Sequence, residues 1–97
     1  MIERVAVCST THMTKDDSFQ MKFIAMDCQS TPWVYDAEYG FIVDLGTSLF
    51  PLLLMKKHGL SKSFRKFAYH MINKHGVKYI HLDCDASVIE GEATFEW

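Results

Sequence analysis

The stretch Ser61–Asp85, SKSFRKFAYHMINKHGVKYIHLDCD, decides the fold. Its first half repeats apolar residues at helical spacing, with Phe64, Phe67, Ala68, Met71 and Ile72 on one stripe. Ser61 or Ser63 is placed to cap this helix, which runs to about His75, and Gly76 is placed to stop it. From Val77 to Asp83 the period becomes two. Ile80, Leu82 and Cys84 point to one side of a strand, while Tyr79, His81, Asp83 and Asp85 point to the other. A striped helix and an alternating strand, joined through one glycine, call for a helical layer on a sheet.

Working outward, Ser48 is positioned to cap a preceding helix through about His58, with Pro51 in its first turn and Gly59 as terminator. Trp33–Val43 reads as a hairpin, with Asp36 and Ala37 between two runs of β-formers. Glu3–Ser9 suits an opening strand that has Val5 and Val7 on one face and Arg4, Ala6 and Cys8 on the other. A first helix follows. Thr10, Thr11 and Thr14 are its candidate caps, Thr14 and Asp17 make a capping box, and Phe19, Phe23 and Met26 form its apolar stripe. Gln29–Pro32 is expected to end it. At the other end, Ser87–Trp97 alternates, with Ala93, Phe95 and Trp97 opposed to Glu92, Thr94 and Glu96, and Gly91 marks a turn or bulge. The expectation is one α+β domain over residues 1–97, in the order β-α-β-β-α-α-β-β. Its sheet is mainly antiparallel, with the helices on one face.

Composition agrees with a folded domain. The chain has 97 residues, 48% of them hydrophobic, near the size at which one core suffices. The apolar run Leu49–Met55 is too short to span a bilayer, and the charged opening residues argue against a secretory signal. Cys8, Cys28 and Cys84 are an odd count without CxxC spacing, which suits free thiols in a reducing cytosol. A net charge of −2 conceals segregation: Leu45–Leu82 holds seven basic residues and no acid, whereas the flanks hold all twelve acids against three bases. Such segregation steers and orients encounters with partners.

Four constellations invite a functional reading. Lys56, Lys57, Lys62, Arg65, Lys66 and Lys74, with Lys78 beyond them, offer a basic patch for a partner or for phosphates. Residues 53–65 resemble a helix-turn-helix with Gly59 in the turn, but Arg65 falls where that motif buries an aliphatic side chain. His81, Asp83 and Asp85 share one strand side, a geometry open to acid–base or metal chemistry, although a lone D-x-D at a strand end better suits Asp83 and Asp85 as acceptors for backbone N–H groups in the following turn. Cys8-Ser9-Thr10-Thr11-His12 gathers nucleophiles beside an imidazole, yet sequence neighbours seldom converge as a triad, and Ser and Thr also serve as caps. Facing His12 with His81 would require the fold to bring them together across the sheet. Trp33, Tyr35, Tyr79 and Trp97 are candidates for aromatic surface on a sheet face left open, with buried core as the competing reading. No Walker loop, GxGxxG, HExxH or zinc spacing occurs.

Three pieces carry a family resemblance: Cys8–Thr14 (CSTTHMT), Tyr39–Val43 (YGFIV), and the tail from Leu82-Asp83-Cys84-Asp85 through Val88–Gly91 to Thr94-Phe95-Glu96-Trp97. They resemble a small uncharacterised family from plasmids, prophages and other mobile elements of Gram-negative bacteria. That family's tail closes on a D-x-D … GLPTFDW pattern, and Glu92-Ala93 stands here for its Leu-Pro. The resemblance implies context rather than chemistry: a small protein that binds host machinery, anti-CRISPR-like inhibitors of defence being one such kind. The expectation is a non-enzymatic interaction protein without a cofactor or metal. Its partner is a host protein or nucleoprotein complex, contacted through the basic patch or through Tyr79, His81, Asp83, Asp85 and Trp97. A nucleic-acid-binding regulator is the alternative, and a metal-dependent enzyme using His81, Asp83 and Asp85 the third reading. Self-association as a homodimer is compatible with all three, and membrane insertion with none.

Overall fold

The computed structural model describes residues 2–26 and 32–97. Strands β1 (Val5–Ser9), β2 (Val34–Ala37), β3 (Gly40–Asp44) and β4 (Tyr79–Asp83) form one sheet in the order β1-β4-β3-β2. β1 and β4 run parallel; β4–β3 and β3–β2 are antiparallel, so the sheet is mixed and mainly antiparallel. Helices α1 (Lys15–Met26), α2 (Pro51–Lys57) and α3 (Lys62–His75) complete an α+β domain whose order agrees with expectation through β4.

Register explains why one sheet face is covered. Leu82 lies between Cys8 and Phe41, and Ile80 lies between Ala6 and Val43, with Val34 beyond. These residues join Met21, Ile24, Met55, Phe64, Phe67, Ala68 and Met71 from the helices in one core cluster. The intervening positions face away. Val7, His81, Ile42 and Tyr35 cross the sheet in a row, and Val5 and Val7 are 48% and 57% exposed. The helices therefore occupy one side, and the other is left open among the described residues.

Local chemistry sets the helix ends. Thr14 Oγ1 accepts from the Asp17 N–H, and Asp17 Oδ2 accepts from the Thr14 N–H, the expected capping box. Ser61 caps α3 by accepting from the Phe64 N–H at 3.2 Å. α2 closes on Gly59, whose φ of +83° places it in the left-handed region. There the Gly59 N–H reaches the Lys56 carbonyl and the Leu60 N–H reaches that of Met55, satisfying two end carbonyls together. Ser48 does not cap α2. The helix starts two residues beyond Leu49, at Pro51, and the Ser48 hydroxyl instead accepts from the Phe50 N–H at 3.1 Å.

Other expectations change. Asp36 and Ala37 belong to β2, so the hairpin turns at Glu38–Tyr39. Trp33 is buried at 3% exposure, where it contributes to the core rather than to aromatic surface. Of the Gln29–Pro32 stop, residues 29–31 lie outside the described residues.

The largest correction concerns α1. Phe19, Phe23 and Met26, the expected core stripe, are 52%, 66% and 68% exposed; Asp17, Met21 and Ile24 are buried instead. Asp17 explains the rotation. Its carboxylate accepts from the Ser61 N–H at 2.7 Å, the Ser61 hydroxyl at 2.6 Å and the Thr14 N–H at 3.2 Å. One buried acid thereby serves the starts of α1 and α3, and the favourable field at each helix N-terminus offsets its loss of hydration.

The tail also departs from expectation. Residues 84–97 make no strand. Their backbone groups are met one at a time. The Ser9 N–H donates to the Ser87 carbonyl, the Phe95 N–H to the Thr11 carbonyl, and the Ile89 N–H to His12 Nε2. With Nε2 accepting, His12 Nδ1 donates to the Ala93 carbonyl at 2.8 Å, which assigns the neutral Nδ1–H tautomer. The alternation of Ala93, Phe95 and Trp97 therefore has no ladder to join.

Candidate interaction surface

Sequence stretches that look reactive are committed to structure. Cys8 is fully buried, and burial pushes its thiol up to about 12. Ser9 Oγ accepts from the Thr11 N–H and pairs with the Thr11 hydroxyl at 2.8 Å, capping a short 3₁₀ turn. Both His12 nitrogens hold the tail, and its ring stacks on Phe67 with centroids 4.6 Å apart. His81 lies on the opposite, open sheet face, so the two imidazoles do not meet across the sheet. Cys84 is exposed, but desolvation and the neighbouring Asp85 and Asp83 charges raise its pKa. Neither described thiol is poised as a nucleophile at neutral pH.

The His81, Asp83 and Asp85 group separates. His81 Nε2 is 4.0 Å from Asp83 Oδ2, and Asp83 Oδ1 accepts the Asp85 N–H at 2.8 Å, the turn role expected from the sequence. The side chains able to share a cation, with donor atoms within 4.8 Å of one another, are Asp83, Cys84 and Asp85, without His81. Tyr79 and His81 remain with Val5 and Val7 on the open face. Trp97 lies elsewhere, its indole N–H donating to the Met13 carbonyl at 2.9 Å.

The basic patch also divides. Lys74 Nζ contacts Glu92 Oε2 at 3.4 Å and Lys78 Nζ contacts Glu3 Oε1 at 3.6 Å. Glu92, its side chain only 5% exposed, also holds His70 Nδ1 at 2.7 Å. Burial pushes the Glu92 carboxyl up, but the His70 and Lys74 contacts outweigh it and leave Glu92 below its usual range. Arg65 is half-buried and donates Nε to the Leu60 carbonyl. Lys56, Lys57, Lys62 and Lys66 are exposed and make no ion pair among the described residues.

Beside these free lysines lies a feature that the sequence reading missed. Leu49, Phe50 and Leu53 are 92%, 68% and 63% exposed, and Tyr69 from α3 is half exposed. They line a groove of about 420 Å³ between α2 and α3. A second depression runs from Phe50 and Leu53 to Lys56 and Lys57. Large apolar residues are thus gathered into one patch with a cationic margin. The sequence shows Leu49–Met55 only as an apolar run too short to span a bilayer; its mixed exposure emerges from tertiary packing. No helix among the described residues is long and apolar enough to cross a membrane.

The remaining sequence features meet at the C-terminal ends of β1 and β4. Gly40 pairs with Asp83, and a Cβ at Gly40 would overlap the Leu82 carbonyl oxygen, so the hairpin turn requires glycine there. The Cys84 N–H donates to the Tyr39 carbonyl at 2.9 Å, which ties that turn to the end of β4. Thr10, Thr11, Tyr39, Cys84 and Trp97 line a pocket of about 420 Å³ at this junction. The three stretches that carried the family resemblance are therefore spatial neighbours.

No curated protein and no solved structure matches the chain. The model described as "Family of unknown function (DUF5983) C-terminal domain" matches residues 5–97. That match takes in every element of the fold, and the chain belongs to this uncharacterised family.

Proposed function

We propose that the protein is a non-enzymatic binding module that docks an acidic, apolar-bearing segment of a partner protein on the α2–α3 patch. The observation that carries this reading is the contiguous exposure of Leu49, Phe50, Leu53 and Tyr69 beside lysines that make no ion pair among the described residues. The apolar centre supplies affinity by burial, and Lys56 and Lys57 supply orientation. A phosphate backbone would match only the lysines and leave the aromatic centre wet, which favours protein over nucleic acid. The reading extends to a protein of mobile elements acting in the host cytoplasm on a host protein or nucleoprotein complex, with anti-CRISPR-like inhibition of defence as one form. Supporting that extension is the fact that blocking a machine requires surface and no reacting group.

The test compares immobilised wild-type protein with Leu53→Asp and with Phe23→Ser, a change on the exposed stripe of α1. Wild type and Phe23→Ser should retain one stoichiometric bacterial partner at low salt, and Leu53→Asp should lose it. Recovery of no stoichiometric partner by the wild type overturns the proposal. DNA binding that falls steeply with salt and ignores Leu53→Asp replaces it with the nucleic-acid regulator.

A further inference from the structure

We infer that the pocket at the strand ends binds an organic cation, a guanidinium or alkylammonium group. This goes beyond the docking role and uses a separate part of the surface, for the pocket and the α2–α3 patch share no lining residue.

Charge is the first argument. No Lys or Arg lines the pocket. Cys84 does, and its sulfur lies within 4.8 Å of a carboxylate oxygen of both Asp83 and Asp85. Asp83 has His81 Nε2 at 4.0 Å and accepts the Asp85 N–H, whereas Asp85 makes no ion pair among the described residues. A phosphate or carboxylate ligand would meet like charge here without a compensating cation. A cation would meet attraction.

The walls are the second argument, and they stand independently of the acids. Tyr39 and Trp97 are 55% and 53% exposed and line the same space. The Trp97 bond to the Met13 carbonyl anchors that ring before any ligand arrives, and the Phe95 N–H bond to the Thr11 carbonyl anchors the chain leading to it. Aromatic rings held in advance attract cations at little cost in ordering. The hydroxyls of Thr10 and Tyr39 make no hydrogen bond among the described residues and can accept from the N–H groups of a guanidinium. Two aromatic rings, neutral acceptors and an unpaired carboxylate at the margin together select positive charge over a neutral ring or an anion.

The test is a ¹H–¹⁵N NMR titration of the full chain with agmatine, with methyl glucoside as the neutral probe and AMP as the anionic one. Agmatine should shift the Trp97 indole and Gly40 amide resonances saturably, and the other probes should not. Asp85→Asn and Tyr39→Leu should each weaken agmatine by about threefold to tenfold. Tyr39→Leu changes an exposed turn residue and leaves the Trp97 bond to the Met13 carbonyl in place. Binding of methyl glucoside or AMP as tightly as agmatine overturns the inference. So does the absence of saturable agmatine binding, or agmatine affinity unchanged in both variants.

Discussion

Helices α1 and α3 carry the same kind of apolar stripe and use it in opposite ways. On α3, Phe64, Phe67, Ala68 and Met71 are all buried against the sheet. On α1, the larger stripe of Phe19, Phe23 and Met26 faces solvent, while Met21 and Ile24 enter the core on either side of a helix face shared with Asp17. A periodicity of 3.6 identifies a helix but does not choose its buried face when two faces qualify. On α3 the opposite face is charged, so no choice exists. On α1 the choice falls to polar anchoring: only with Asp17 inward can one carboxylate reach Thr14 and Ser61 together. Burial of three aromatic or thioether side chains is forgone for a junction between two helix starts.

The comparison can be broken most directly at α3. Phe64→Ala should cost about 3–5 kcal/mol in urea unfolding, as expected for a fully buried aromatic. A loss below about 1 kcal/mol would put its stripe on the same footing as that of α1. Asp17→Ala should come next, at about 2–3 kcal/mol, because it strands the Ser61 N–H and hydroxyl and the Thr14 N–H. Combining it with Ser61→Ala should cost less than the sum of the two changes, since both remove the same junction; strict additivity would deny that Asp17 acts through Ser61.

A smaller effect should mark the tail, which α3 holds through His70 and Lys74. The Glu92 carboxyl is held below its unfolded value, so its contribution is present above the ordinary carboxylate range and is lost as pH falls through the lowered folded-state value. Glu92→Gln should therefore lower stability near neutrality and leave acidic stability nearly equal to wild type. Parallel stability–pH curves for the two proteins would refute this assignment. The smallest effect belongs to the outer face of α1: Phe19→Ser and Phe23→Ser should each change stability by no more than about 0.5 kcal/mol. Larger losses measured in dilute monomer would mean that these side chains pack within the domain.

Legibility followed the range of the interaction. The Thr14–Asp17 box and the Gly59 terminator join groups a few residues apart and were readable from residue order, whereas the α3 cap was readable only as Ser61 or Ser63. Alternation likewise assigned Ile80 and Leu82 to one side of β4 and Tyr79 and His81 to the other. At the candidate sites the reading was partial. The six basic residues were recognisable as a group, but their division into exposed lysines without an ion pair among the described residues, Arg65 on the Leu60 carbonyl and Lys74 on Glu92 depended on folding, Glu92 lying 18 residues from Lys74. The Leu49, Phe50, Leu53 and Tyr69 patch had no signal of its own, because exposed and buried leucines are written with the same letter.

Residue order by itself determined an α+β chain, the start of α1, the stop of α2, the extent of α3, the alternation of its central strand and the concentration of positive charge between Leu45 and Leu82. Tertiary structure alone decided which stripe of α1 meets the core, that the last segment is a strap around His12 instead of a fifth strand, and that Tyr39, Cys84 and Trp97 border one pocket. The physical reason is that caps and periodicity are satisfied within one or two turns of chain. Burial of a carboxylate, a tautomer or a tail is settled by partners that only folding brings within hydrogen-bond distance.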